Sequence, residues 1–286
     1  MASIIAMDDP RHGRQRKLVQ SAFSARAINR LTESVSVLAD QIVDELRELG
    51  SFDSVAAVGA NLPLQVICDL LDIPATDRPR MRELINSILG VNDPDFGGPQ
   101  ESLQSLLELF GYAIDLGKQR LTNPGDDITR TALTWAVKLL TDHPDQKRSL
   151  GERFGELHGN AIDEILRWCS PALHMRRTAT TDTEVAGQRI AKGDKVVLWY
   201  LAANHDPAVF DRPDDFDINR RNARDQIAFG AGGPHFCLGA NLAKMEMRVV
   251  LGTLLRSFPD LHATAEPDLL ISPFVHTIKT LPCAIG

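Results

Sequence analysis

Cysteine is scarce in this chain, and what there is does not cluster. Cys68, Cys169, Cys237 and Cys283 are spread over 286 residues. They show none of the short spacings of a disulfide framework, a zinc site or an iron–sulfur set. Long apolar runs are missing too, and no stretch of about 18 uninterrupted apolar residues supports a membrane span. The opening segment from Met1 to Met7 meets Asp8-Asp9 at once, without the basic start and apolar core of a secretory leader. Scattered thiols and no leader predict a reducing, cytoplasmic location. Positive charge is not in excess either. A net charge of −7 argues against non-specific binding to nucleic acid. Internal repeats, low-complexity segments and clear linkers are absent. What is present is 43% apolar and 24% charged, enough for an ample core in one large domain or two smaller ones.

Asp9-Pro10 reads as an N-cap with proline in the first turn, opening a basic helix through about Phe23. Leu31, Val35, Leu38, Ile42 and Leu46 recur every three or four residues, predicting a helix from Ala25 to Leu49 that Gly50 ends. Further helices are predicted at about 62–71, 77–89, 101–121, 131–140 and 157–169, with a loop from Asn92 to Pro99. After Pro171 the period changes. Two β-like runs between Val185 and Val197, around Gly187-Gln188 and Gly193-Asp194, predict small hairpins. A proline-rich meander through Pro207, Pro213 and Phe216 follows. Leu238, Leu242, Met245 and Val249 then form the stripe of a last helix, before a tail of short strands and turns. The expected class is mainly α with small β-sheets.

The densest chemistry is Phe229-Gly230-Ala231-Gly232-Gly233-Pro234-His235-Phe236-Cys237-Leu238-Gly239. A glycine-rich turn delivers one cysteine to the mouth of a helix, where backbone N–H groups and the helix dipole favour a thiolate. A lone thiolate held this way suits the axial ligand of a haem iron. The competing reading is a buried structural cysteine beside a flexible loop. Glu164 and Arg167 share a helix face at a spacing of three. They are either a solvated surface pair or, with Arg220, a buried carboxylate shared by two guanidiniums that pins the meander. His12, Arg16, Arg177 and His235 form a set of cations suited to haem's two carboxylates, since an arginine fork binds two oxygens at once. Taken singly, each is a surface cation.

Together the cysteine loop, the helix Asp163-Glu164-Ile165-Leu166-Arg167-Trp168 and the Phe216–Arg220 meander resemble a bacterial cytochrome P-450. Asp9-Pro10-Arg11-His12 with Arg16 resembles the family's helix C, and Met175-Arg176-Arg177-Thr178-Ala179 resembles the strand whose arginine holds a haem propionate. Pro63-Leu64-Gln65, Ala202 to Asn204 and Gly239-Ala240-Asn241-Leu242-Ala243 resemble the actinobacterial group that oxidises sterols and methyl-branched lipids. The resemblance implies haem b (heme b) bound through Cys237 as proximal ligand, its thiolate favouring O–O cleavage. It implies a monooxygenase that inserts one oxygen atom of O₂ into a C–H bond of a hydrophobic substrate. It also implies electrons from NAD(P)H through a ferredoxin reductase and a ferredoxin. The basic helix carrying Arg11, Arg14, Arg16 and Lys17 is either a docking face for an acidic ferredoxin or a solvated face.

Against the family pattern, residues 1–286 read as one partial domain that begins near helix C and has an internal gap near 127–130. The family's long central helix carries Ala-Gly-x-Glu/Asp-Thr over the distal side of the haem. Here Asn123-Pro124-Gly125-Asp126-Asp127 runs into Ile128-Thr129-Arg130. Alignment sets Asp127 at the acid and Ile128 at the alcohol, and isoleucine donates no hydrogen bond, so no catalytic acid–alcohol pair is assigned. The glycine loop is one residue longer than the commonest form. Two readings of function follow: a haem monooxygenase, or a non-catalytic haem-binding remnant of one.

Overall fold

The computed structural model describes residues 4–20, 23–59, 61–70, 73–117 and 127–286. Its helices are α1 (Arg11–Gln20), α2 (Ala25–Leu49), α3 (Asn61–Leu70), α4 (Arg78–Leu89), α5 (Pro99–Gly117), α6 (Asp127–Asp142), α7 (Pro144–Glu152), α8 (Phe154–Cys169), α9 (Tyr200–Asn204) and α10 (Ala240–Ser257). The strands are β1 (Ser51–Asp53), β2 (His174–Thr178), β3 (Thr183–Val185), β4 (Gln188–Ile190), β5 (Lys195–Trp199), β6 (His262–Ala263), β7 (Asp268–Leu269), β8 (Ile278–Thr280) and β9 (Pro282–Ala284). Among the described residues no helix is long and apolar enough to cross a membrane.

Helix α2 starts where its spacing says it should. The Ser24 side chain accepts from Ala27 N at 3.3 Å, and Gly50 ends the helix at φ 67°, a conformation that favours glycine. Its apolar stripe (Val35, Ile42, Leu46) packs along α10. Helix α6 has apolar residues buried on every side, among them Leu133, Ala136, Val137 and Leu140, so it lies inside the molecule. With α8 and α10 it forms the main core, to which Cys237 and Leu238 are packed. A smaller cluster of Cys68, Ile73, Met81 and Leu84 sits beneath α4 and α5.

The sheets are small and antiparallel. β9 lies between β1 and β6, while β2–β5, β3–β4 and β7–β8 are two-stranded. One prediction changes here. β3 and β4 form a hairpin over Gly187, but β5 does not pair with β4. A turn in which Ala191 N donates to the Asp194 carboxylate sends β5 back against β2, with His174 opposite Trp199 and Arg177 opposite Val196. The first helix is described as far as Gln20 and Phe23 lies in a turn; residues 21 and 22, between them, lie outside the described residues. Helix α7, which no apolar period announces, starts on Pro144 in its first turn and buries only Leu150. The end of the helix expected to 121 lies outside the described residues.

Candidate functional site

Residues 227–239 close into a tight turn by backbone pairing. Gly230 N donates to Ile227 O at 2.8 Å, and Cys237 N to Phe229 O at 2.9 Å. Gly230, Gly232 and Gly233 stand at φ 94°, 87° and 77°, where an L side chain costs about 1–2 kcal/mol. A Cβ on Gly232 or Gly233 would meet nothing within 4 Å, so the turn faces open space. Phe229 is buried and anchors one end. At the other end the half-buried Cys237 stands three residues before Ala240, at the positive end of the 18-residue α10. The four cysteines form no disulfide.

Helix α1 lies against this turn. Arg16 donates to Phe236 O at 2.7 Å, and the His12 ring stacks 4.1 Å from that of His235. His12 is only 2% exposed, yet its Nδ1 has no hydrogen-bond partner and lies 3.8 Å from the Asp9 carboxylate. Burial pushes the His235 imidazole below its ordinary value, and the charges of His12, Arg177 and Arg16 push the same way; Asp8 opposes them. Arg177, exposed on β2, donates to Arg176 O at 3.1 Å. The four side chains therefore gather at one place, and among the described residues Asp8 is the carboxylate whose charge opposes the others at His235.

Beneath the loop lies a buried charge cluster. Arg167 donates twice to Glu164, at 2.7 and 2.9 Å, and Arg220 Nε lies 3.0 and 3.1 Å from the same carboxylate. Glu164 and Arg167 are fully buried and Arg220 nearly so. The remaining guanidinium nitrogens bond to backbone carbonyls. Arg167 reaches Asn204, Pro213 and Asp215, and Arg220 reaches Asp211, Arg212 and Asp215. Asp217 N also donates to Glu164 at 3.0 Å. The reading of a solvated pair is thereby set aside, because a shared buried carboxylate clamps residues 204–220 onto α8.

Sequence reasoning did not single out the amides that extend the clamp. Asn204 receives Ile227 N at 2.8 Å and donates to Ser170, tying the cluster to the base of the cysteine loop. Gln146 on α7 bonds both Phe216 O and Ile218 N, and Asn160 bonds Ile218 O and Arg220 O. Amides that serve backbone carry no pattern, and only Asn204 stood in a stretch that drew attention. On the other side, Asp127 opens α6, but the side chains of Asp127 and Ile128 lie outside the described residues.

The cytochrome P-450 family profile matches residues 156–281, which contain the charge cluster and the cysteine loop. A methyl-branched lipid omega-hydroxylase of Mycobacterium tuberculosis is 38% identical over 317 aligned residues, covering 98% of this chain and 74% of that protein. The chain belongs to the cytochrome P-450 family. A steroid C26-monooxygenase of Rhodococcus jostii is 34% identical, over 96% of this chain and 64% of its own length. A cytochrome P-450 of Mycobacterium marinum, solved in complex with pseudoionone, superposes with a TM-score of 0.93 at 33% identity, over 99% of this chain and 77% of that one.

Cytochromes P-450 are haem monooxygenases that take electrons from redox partners and act on hydrophobic substrates, and this chain is one of them by descent and fold. The residues present fit a haem. Two arginines and two imidazoles converge with only Asp8 and Asp9 near them among the described residues, a buried imidazole nitrogen lacks a hydrogen-bond partner, and a glycine turn leaves open space beside a cysteine at a helix start. A dianionic, flat, thiolate-ligated group answers all three.

Proposed function

We propose that this cytochrome P-450 binds haem b through the Cys237 thiolate and hydroxylates a methyl-branched lipid or a sterol side chain. The observation that carries the reading is the cysteine just before α10, on a turn where Arg16 holds the Phe236 carbonyl and His12 and Arg177 act on His235. In this reading Arg16, Arg177, His12 and His235 hold the two propionates, and the Glu164–Arg167–Arg220 cluster fixes the loop without touching the cofactor. When bound, haem supplies activation of O₂, one atom of which enters a substrate C–H bond while the other leaves as water. The glycine turn keeps the sulfur within reach of backbone dipoles, which favours the thiolate over the thiol. The substrate class is taken from the names of the relatives, a methyl-branched lipid hydroxylase and a steroid monooxygenase.

Electrons reach the haem from NAD(P)H through a ferredoxin reductase and a ferredoxin. Helix α1 exposes Arg11, Arg14 and Lys17 beside the cysteine loop, and this basic face complements an acidic ferredoxin. Cysteines without disulfides suit a reducing cytoplasm. The chain is read as a single cytochrome P-450 domain with a shortened distal segment near 127–130.

The test is the reduced, CO-bound absorption spectrum of the haem-loaded chain. A red-shifted thiolate Soret band is expected, and its persistence in Cys237→Ala would refute the assignment. A second reading, haem binding without turnover, is favoured by isoleucine at position 128, where the family has an alcohol. Product analysis with a methyl-branched fatty acid, supplied with NADPH, ferredoxin and reductase, separates the two readings. Hydroxylated product supports the first reading; a haem-loaded chain that yields no hydroxylated product supports the second.

A further inference from the structure

The β2–β5 ladder runs one step beyond the strands. Tyr200 N donates to Leu173 O at 2.9 Å, so Tyr200 stands opposite Leu173 just as Leu198 stands opposite Met175 and Val196 opposite Arg177. Alternate residues share a face, which sets the side chains at 196, 198 and 200 on the same side as Arg177. At the far end of that face the Tyr200 hydroxyl lies 3.6 Å from where a Cβ on Gly230 would stand, so it touches the root of the cysteine turn. Tyr200 is only 7% exposed, and its hydroxyl makes no hydrogen bond among the described residues. Burial raises the phenol above its ordinary value, and the Arg177 charge reaches it strongly enough to oppose that rise. The phenol thus stays protonated and is a donor at neutral pH. Its hydrogen is therefore not committed to any protein acceptor and is available to an acceptor that binds beside it.

We infer that Tyr200 is a positioning residue for the haem, its hydroxyl donating a hydrogen bond to the carboxylate that Arg177 holds. This rests on the haem reading above and adds a fifth side chain to the four cations. It accounts for a phenol placed where the arginine strand meets the root of the cysteine loop.

The experiment compares wild type with Tyr200→Phe, each loaded with natural haem or with haem dimethyl ester, whose carboxylates are blocked. The rate of haem transfer to apomyoglobin is then measured. Natural haem should leave the variant about tenfold faster, as expected for loss of one hydrogen bond to a charged group. With the ester the two proteins should release haem at the same rate. The haem-free melting temperature should not change. Equal rates with natural haem overturn the inference, as does a difference that persists with the ester, since that reports packing against Gly230. Wild type that takes up no haem at all overturns the haem reading, and this inference with it. Should the variant fold poorly, tyrosine labelled with ¹³C at Cζ gives the same answer in the wild-type protein. The chain has two tyrosines, and Tyr112, which donates to Asp77 at 2.8 Å, is the internal control. The Tyr200 resonance should shift between natural haem and the ester while that of Tyr112 stays fixed; an unmoved Tyr200 resonance counts against the inference.

Discussion

Arg153–Glu156, at the entry to α8, and Glu164–Arg167, within it, have the same spacing of three and very different energetics. The first pair is exposed at 55% and 70%, and the second is fully buried. Exposed pairs contribute about 0–1 kcal/mol, whereas removing one member of a buried pair costs about 3–5 kcal/mol by stranding its partner. Glu164→Gln should therefore lower the urea midpoint sharply, because one neutral amide cannot balance two guanidiniums that face carbonyls on every other side. Glu156→Gln should leave the midpoint nearly unchanged. Similar losses in both variants would show that the cluster contributes little beyond its spacing. Spacing alone could not tell these pairs apart. The distinction comes from residues 204–220, which fold over one pair and leave the other in water.

At the scale of elements, α10 packs tightly on α8 where Gly252 faces Phe154. A Cβ there would lie 2.7 Å from Phe154 Cε1, so Gly252→Ala forces a packed ring to move. The expected cost is about 1–3 kcal/mol, read as a lower melting temperature and relieved in part by adding Phe154→Leu. An alanine variant as stable as wild type would show that the helices can separate freely. How legible each element is in the sequence follows from what defines it. Helix α2 has a period, a serine cap and a terminal glycine, all local, and its limits are readable to the residue. Strand β5 has a local β signal but a partner some twenty residues upstream, and only the Asp194 turn decides that it returns to β2 rather than β4. Helix α7 is nearly all polar and carries no period. In the site, the glycines and the cysteine are adjacent in sequence and readable together. His12 and Arg16 meet His235 only because α1 packs across more than two hundred residues of chain. The amides of Asn204 and Gln146 carry no signal, since almost any polar stretch contains one.

For the whole molecule, acid is the stress to expect. Burial holds His276 below its ordinary value of 6.5, against a hydrogen bond from its Nδ1 to Cys169 O that works the other way. His235 is lowered as well. In both cases the unfolded chain binds protons more readily than the folded one, so stability is fully present above about pH 6.5 and falls as pH drops below it. Urea midpoints of the haem-free chain at pH 7.5 and 5.5 should show the loss, and His276→Gln should reduce it. A flat profile over that interval would contradict the burial of these rings.

The β2–β5 hairpin that carries Arg177 also shapes how the protein behaves in company. Val197, Leu198 and Trp199 are consecutive and 41%, 44% and 54% exposed, so β5 shows apolar side chains on both of its faces, and its outer edge has no neighbour among the described residues. A ribbon of that kind welcomes further strands, with Lys195 the one charge in β5 to discourage them. Colloidal behaviour at high concentration is therefore governed by this rim and not by the well-filled interior, and losses during concentration need not report any unfolding of the core.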